Sequence, residues 1–390
     1  MAERVSPAVE TATQTSGWSS WLAERRSIFI WWVGARALVL GTALVIHAIG
    51  RPYGYYSATV LAKPFGVLAV WDGIWYRRVA VHGYLFVPAH QSDTAFFPLY
   101  PVLLRIVHLT GMPLDAAGLL LSNLLLLGAL LVLYELGLGL LPAADARRAV
   151  IFAAVFPTSY VFSMIYPESL VLGCMALATL LAVRGRWLGC SLVAAAAALA
   201  RPEGALLVLP LAAIAVDRWR TLSPDARGRA VAAVLAPPAA LLSFLLYLGW
   251  AVQDPFAWNE TQQAWGRSFN ATGFFLSIRR LFTGLGKNHW GLRDALFCVA
   301  FLVLLAVAAR AKIAWPGRRR WPWIVFGLAI VLLPLASGSM ESDARFGLLA
   351  LPIYWGLAVA ARRRWVERGL LAFSAVLLLG ATATIPLIFP

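Results

Sequence analysis

The sequence predicts an all-α polytopic membrane protein, and three observations carry that expectation. Of its 390 residues, 61% are hydrophobic and only 13% charged, against about half and a quarter in soluble domains. Apolar runs close to the roughly 20 residues a spanning helix requires recur along the whole chain. Between them stand short basic clusters, from Arg25-Arg26 to Arg362-Arg363-Arg364. Under the positive-inside rule such clusters are cytoplasmic loops. One core could not hide this much apolar surface, so a water-soluble globule is excluded.

In chain order, residues 1–27 are polar and rich in Ser, Thr and Ala, and are expected to form a cytoplasmic tail. The remainder, 28–390, reads as a single transmembrane domain. Its first span, 28–49, lacks a small-residue cleavage site and is therefore expected to be retained. Further spans fit 115–141, 149–166, 168–184, 187–200, 202–216, 229–250, 294–311, 321–338, 346–361 and 368–389. The total is about eleven, with the N-terminus inside and the C-terminus outside. The pair flanking Arg201-Pro202 also reads as one bent unit. Two long outer segments remain, about 50–114 and 251–293, and there is no internal repeat.

The formal charge of +15 does not indicate nucleic acid. Nucleic-acid binders gather basic residues on one solvated face, whereas here they punctuate a membrane chain. Cys174, Cys190 and Cys298 each sit inside an apolar run, which supports neither a disulfide framework nor a thiolate metal site. Phosphate-loop, dinucleotide and HExxH zinc motifs are missing from the sequence.

Oriented by basic clusters alone, the topology puts Asp72, Asp93, Glu168, Glu203, Asp254, Glu260, Glu341 and Asp343 on the outer side. Asp145, Asp217, Asp225 and Glu367 stay inside among arginines and read as ordinary loop charges. In the first outer segment Trp71, Trp75 and Val79 recur at four-residue spacing, the apolar face of an interfacial helix. Asp72 and Tyr76 share the adjacent face. Asp72 is then either a solvated carboxylate in an aromatic belt or a general base at the membrane surface. Asp93 lies in a polar stretch without motif support.

Glu168 and Glu203 each follow a proline that opens a membrane helix. An acid in a helix's first turn is favoured by the dipole, so these residues serve either the helix or a substrate hydroxyl. Arg201 and Arg345 lie outside against the charge rule. They either pair with Glu203 and with Glu341 or Asp343, or present guanidinium forks to a phosphate. His82 is expected to hold the first outer loop near the substrate, and His289, Gln262 and Trp265 to line a sugar pocket. Trp258, Trp265 and Trp290 also read as belt aromatics. Asn270-Ala271-Thr272 is a sequon facing outward.

The block Trp71-Asp72-Gly73-Ile74-Trp75-Tyr76, with His82-Gly83-Tyr84 and Ala95-Phe96-Phe97-Pro98-Leu99-Tyr100-Pro101 after it, resembles the PIG-V family of mannosyltransferases. These enzymes add the second mannose to glycosylphosphatidylinositol precursors, and bacteria carry relatives. Phe156-Pro157-Thr158-Ser159 and Tyr166-Pro167-Glu168-Ser169-Leu170 continue the resemblance. Ala200-Arg201-Pro202-Glu203-Gly204 stands where eukaryotic members have Arg-Ser-Asn-Gly, so no role passes to Glu203. The matching blocks cover the first 210 residues or so; Gln262, Trp265 and Arg345-Phe346 match loosely beyond them.

The resemblance implies a GT-C glycosyltransferase: a helix bundle whose large first outer loop carries a catalytic aspartate, here Asp72. It implies a polyprenyl-phosphate-mannose donor, a lipid-linked or glycolipid acceptor, inversion at the anomeric carbon, and a multi-pass place in the bacterial plasma membrane. Substrate contacts fall to Tyr76, His82, Glu168, Arg201, Gln262, His289 and Arg345. The residues agree independently on one point. A nucleotide-sugar enzyme needs a soluble pocket for which this chain has no room, so its donor arrives through the bilayer. A base beside the acceptor hydroxyl contributes about 10²–10⁴-fold. There is no Asp-x-Asp pair, so neither a metal nor another cofactor is expected. Transfer of a different polyprenyl-phosphate sugar is the alternative within enzymes, and a lipid-linked sugar transporter or flippase the alternative outside them.

Overall fold

The computed structural model describes residues 18–49, 63–284 and 289–386. Helix α1 (Trp18–Ile49) begins at Trp18 rather than at 28. Polar residues stay helical there because they find partners: Arg25 is buried and pairs with Glu135 and with Glu24. The rest of the expected tail, 1–17, lies outside the described residues. In the segment 50–114, expected outside, come two short helices, α2 (Asp72–His82) and α3 (Leu99–His108). The latter buries Tyr100 and Leu104 while Val102 and Ile106 stay exposed, as an amphipathic helix lying along the bundle does.

The bundle continues with α4 (Leu114–Leu138), α5 (Ala143–Val155), α6 (Glu168–Val183), α7 (Trp187–Ala200), α8 (Val208–Arg218) and α9 (Pro224–Ala251). The segment 251–293, likewise expected outside, holds α10 (Ala257–Ala264) and α11 (Gly273–Gly284). Then follow α12 (His289–Arg310), α13 (Trp321–Leu332), the one-turn α14 (Asp343–Phe346), α15 (Pro352–Ala360) and α16 (Arg364–Ala383). The described residues contain no strand. In the core, α7 packs against α6 and α9, α6 against α4, and α12 against α15.

Five helices among the described residues are long and apolar enough to cross a membrane: α1, α4, α9, α12 and α16. Others are short. The expected span 149–166 is instead the 13-residue α5 followed, from Phe156 to Pro167, by turns around the short 3-10 helix Ser159–Ser163. At 1.5 Å per residue α5 covers about 20 Å of a roughly 30 Å hydrocarbon layer. Non-helical backbone at such depth survives only where protein satisfies it. Arg36 of α1 does so, donating to the carbonyls of Ala154 and Ser159 at 2.9 Å each and to Ser163 Oγ at 2.8 Å. Further breaks follow α7, at Pro202–Leu207, and α13, at Pro334–Ser337.

The basic clusters converge at one end of the bundle. There Glu135 joins Arg25 to Arg184, Asp145 joins Arg148 to Arg362, and Asp217 meets Arg318. Asp145 is therefore no ordinary loop charge. It is buried and ties α5 to the chain entering α16, because two guanidiniums converge on it at 2.5 and 2.7 Å. The broken ends, Phe156–Pro167 among them, face the other way.

Candidate functional site

The site is assembled from these breaks. Trp71 adopts a left-handed φ of +56°, which few non-glycine residues do, and α2 starts at once with Asp72. Its buried face is Asp72, Gly73, Tyr76, Val79 and Ala80. This corrects the expected arrangement, in which Trp71, Trp75 and Val79 meet the membrane. Trp75 instead stacks on Phe96 at 5.6 Å and meets the edge of Trp265 at 5.7 Å. The second outer segment folds over α2 and is fastened there by Thr94, which bonds Thr261 at 2.7 Å and the Ala257 carbonyl at 3.2 Å.

Glu168 is the first residue of α6 and is wholly buried. Arg201 ends α7, and the following turn crosses back so closely that a Cβ on Gly204 would collide with the Ala197 backbone. Arg345 sits on α14, whose N-terminal amides are held by Asp294: its carboxylate accepts from Ser342 N at 3.3 Å and from Ala344 N at 3.0 Å. Thr158 of the broken segment donates to the Ala344 carbonyl at 2.8 Å, fixing the turn from the other side.

These positions form one continuous ion chain. Arg345 Nη2 lies 2.6 Å from Asp72 Oδ2 and its Nε lies 3.8 Å from Glu168. Arg201 donates to Glu168 at 2.6 Å and grips Glu203 with two bonds of 3.0 Å. The expected pairing of Arg201 with Glu203 is present, whereas Arg345 turns to Asp72 and not to Glu341 or Asp343. Asp343 is buried on the opposite side of the turn; burial and the nearby Asp294 raise its carboxyl well above the usual range. Phe346 supports the cluster, its ring 4.6 Å from the Arg201 guanidinium and 5.0 Å from that of Arg345.

The cluster opens into a cavity of about 310 Å³. Asp72, Tyr76, Arg201, Glu203, Gln262 and Arg345 line its polar end, and Leu206, Leu241, Ile330 and Leu333 its apolar wall. Asp72 is only 8% exposed, so it is a pocket carboxylate and not a solvated belt residue. Burial pushes the Tyr76 phenol well above its ordinary value, which makes it a proton-bearing donor. Glu168 does not line the cavity but braces both arginines from behind.

Several expectations are corrected. His82, the last residue of α2, falls off the helix's buried face, is exposed, and does not line the cavity. Trp258 lines the cavity instead of serving as a belt aromatic, because the segment 251–293 folds inward, and Trp265, read both as a belt aromatic and as a pocket residue, lines it too. Asp93 is 2% exposed, accepting from Arg78 and from the Leu85 amide at 3.3 Å each; burial raises its carboxyl above the usual range. His289 and Trp290 carry side chains outside the described residues.

Sequence reasoning missed Arg267. It lines the cavity, with its guanidinium 5.7 Å from the Phe346 ring. Its guanidinium donates to the Glu341 carbonyl at 3.5 Å, and among the described residues no carboxylate lies within 4.0 Å of it. The signal was available, for Arg267 falls in the segment 251–293, which is expected outside against the charge rule, as Arg201 and Arg345 are.

Short and long apolar helices have broken ends that surround one charged pocket, with amphipathic helices in the segment 50–114, and the comparison with solved structures shows this to be a GT-C fold. The crystal structure of the Archaeoglobus fulgidus oligosaccharyltransferase in the apo form is similar, with a TM-score of 0.50 at 13% identity. The similarity covers 95% of this chain and 56% of that one. Two further structures from Archaeoglobus fulgidus reach 0.48. One is the oligosaccharyltransferase tethered with an acceptor peptide containing the NVT sequon, at 12% identity over 94% of this chain and 55% of that one. The other is the oligosaccharyltransferase AglB in complex with an inhibitory peptide and a dolichol-phosphate, at 13% identity over 95% and 56%. This chain thus spans little more than half the length of those chains. No protein-family model and no curated protein matches the sequence.

Proposed function

We propose that this protein is an inverting glycosyltransferase. It moves a mannosyl residue from a polyprenyl-phosphate-mannose donor to a lipid-linked or glycolipid acceptor at the outer face of the membrane, with Asp72 as general base. The observation that carries this reading is the division of the cavity into a charged end and an apolar wall. A lipid phosphate ligand has the same two halves. The GT-C fold supports glycosyl transfer as the class of reaction, and mannose rests on the first-segment block that resembles PIG-V. A transporter is disfavoured because, apart from Arg36, which satisfies backbone carbonyls, the ionisable residues collect at the ends of the bundle, without the repeat symmetry transporters tend to show.

In this mechanism Asp72 takes the proton of the acceptor hydroxyl through Oδ1, which has no protein partner among the described residues; Oδ2 stays with Arg345. The hydroxyl oxygen bonds to the anomeric carbon as the bond from that carbon to the phosphate oxygen breaks. The electron pair leaves with the phosphate, and attack from the opposite face inverts the centre. Arg267 has no carboxylate partner and Arg345 Nη1 has no acceptor, so these two take the phosphate. Arg201, held by Glu168 and Glu203, keeps the cluster rigid.

Purified protein given radiolabelled polyprenyl-phosphate-mannose and a membrane lipid extract tests the activity, by label entering a new lipid. In that assay Arg267→Gln is expected to raise the donor KM about tenfold or more, the worth of a charged hydrogen bond. Arg345→Lys, which loses the guanidinium fork, is expected to raise it as well, and Arg201→Lys to act mainly on stability. An unchanged donor KM in both of the first two removes the phosphate role. The same assay in EDTA should proceed at full rate; recovery only with Mn²⁺ would end the metal-independent reading.

Orientation is tested separately. His90 and Asn270 are exposed in the two outer segments, and Arg319 is exposed among the basic clusters. His90→Cys and Asn270→Cys are expected to react with an impermeant thiol reagent in intact cells, and Arg319→Cys not to react. Cys190 and Cys298 are buried and Cys174 is half-buried, so wild type sets the background. The reverse labelling pattern would place Asp72 on the cytoplasmic side.

A further inference from the structure

We infer that the basic end of the bundle holds a specific site for one anionic phospholipid, seated between α12 and α13. The two helices touch where Gly327 meets Leu305; a Cβ on Gly327 would collide with that side chain. Beside that contact a space is left between them, where α12 presents the small side chains of Ala306 and Ala309. The gap is a groove of about 400 Å³ with apolar walls that include Leu302, Ile324 and Leu328. Arg310, Arg320 and Trp321 stand at its mouth.

The mouth decides the occupant. Arg320 donates to the Ala309 carbonyl at 3.1 Å and lies 5.1 Å from the Trp321 ring, so its guanidinium is held over the groove opening. Four other arginines at this end are paired with acids, Arg25 and Arg184 with Glu135, and Arg148 and Arg362 with Asp145. Among the described residues Arg310 and Arg320 have no carboxylate within 4.0 Å, and no acid lines the groove. An apolar slot capped by two guanidiniums without a carboxylate partner and an indole fits an acyl chain with an anionic glycerophosphate head. Basic pockets between membrane helices on the cytoplasmic side suit such head groups, and guanidinium suits phosphate. The site is remote from Asp72, yet α13 joins the two: its far end supplies Ala329 and Ile330 to the Asp72 cavity.

The test is native mass spectrometry of the full chain in detergent, with phosphatidylglycerol and phosphatidylcholine of identical acyl chains. Wild type is expected to retain one phosphatidylglycerol with about tenfold or greater preference over phosphatidylcholine. Arg310→Gln with Arg320→Gln should abolish the preference. Ala306→Phe, which fills the groove and keeps both charges, should remove the bound lipid. Lys312→Gln with Arg319→Gln, equal in charge loss but outside the groove lining, should leave the preference intact. Equal retention of the two lipids by wild type would overturn the site. So would an unchanged preference in the first pair, or an equal loss in the control pair, which would mean a diffuse surface potential. Displacement of the lipid by millimolar inorganic phosphate would identify a free-phosphate site and likewise refute the proposal.

Discussion

Asp72→Asn is expected to lower turnover by about 10²-fold or more, with donor KM little changed. Asn has nearly the same shape and its carbonyl can still accept from Arg345, but it cannot take the acceptor's proton. Because Arg345 is 2% exposed, weakening its 2.6 Å pair with Asp72 carries a stability cost of about 1–3 kcal/mol. Thermal unfolding in detergent must therefore accompany the kinetics, so that a loss of folded protein is not read as a loss of chemistry. Two other acids frame the result. Glu260→Gln, on α10 and outside the cavity lining, should leave both turnover and stability near wild type. Asp93→Asn removes the ion pair with Arg78 and should act on stability with turnover changed only a few-fold. Near-normal turnover in Asp72→Asn, or equal inactivity in Asp93→Asn, would remove Asp72 from the role of base.

The largest stability effect is expected at Arg36. This guanidinium is buried within α1 and serves the segment that breaks between α5 and α6, bonding the Ala154 and Ser159 carbonyls and the hydroxyls of Ser159 and Ser163. Arg36→Leu leaves those acceptors without their donor at a depth that water does not reach. Each buried acceptor so orphaned costs about 1–3 kcal/mol, and Ser159 Oγ continues to serve Ala154, so the net loss should be on the order of 3 kcal/mol. Arg36→Lys keeps the charge and three donors without the planar fork and should recover part of it. Turnover should fall in parallel, because the same segment carries Thr158 against Ala344 and Tyr166, whose hydroxyl accepts from the Asp72 amide at 3.1 Å. A midpoint of unfolding unchanged in Arg36→Leu would mean that the break is held by packing alone.

What was legible in the sequence was whatever depends on one segment at a time. Apolar runs report the cost of exposing side chains to water, and they identified a membrane bundle and the starts of α6, α7 and α9 to within a few residues. Basic clusters report loop position, and they do gather at one end. Asp72 was singled out by its neighbours in the chain, and Pro167-Glu168 and Pro202-Glu203 by what a proline does to the first turn of a helix. Tertiary structure alone decided the partnerships. Arg345 pairs with Asp72, far away in sequence, and not with the acids beside it, because Asp294 and Thr158 fix the turn that carries it. Trp75 faces Trp265 and not lipid because another segment covers it. The run 149–166 breaks where an unbroken helix was expected, since a helix is obligatory in a membrane only where nothing else satisfies the backbone, and Arg36 does so from a different helix. Hydropathy measures the affinity of a segment for the bilayer, whereas ion pairing and backbone satisfaction depend on which segments pack together, and that is set by the whole chain at once.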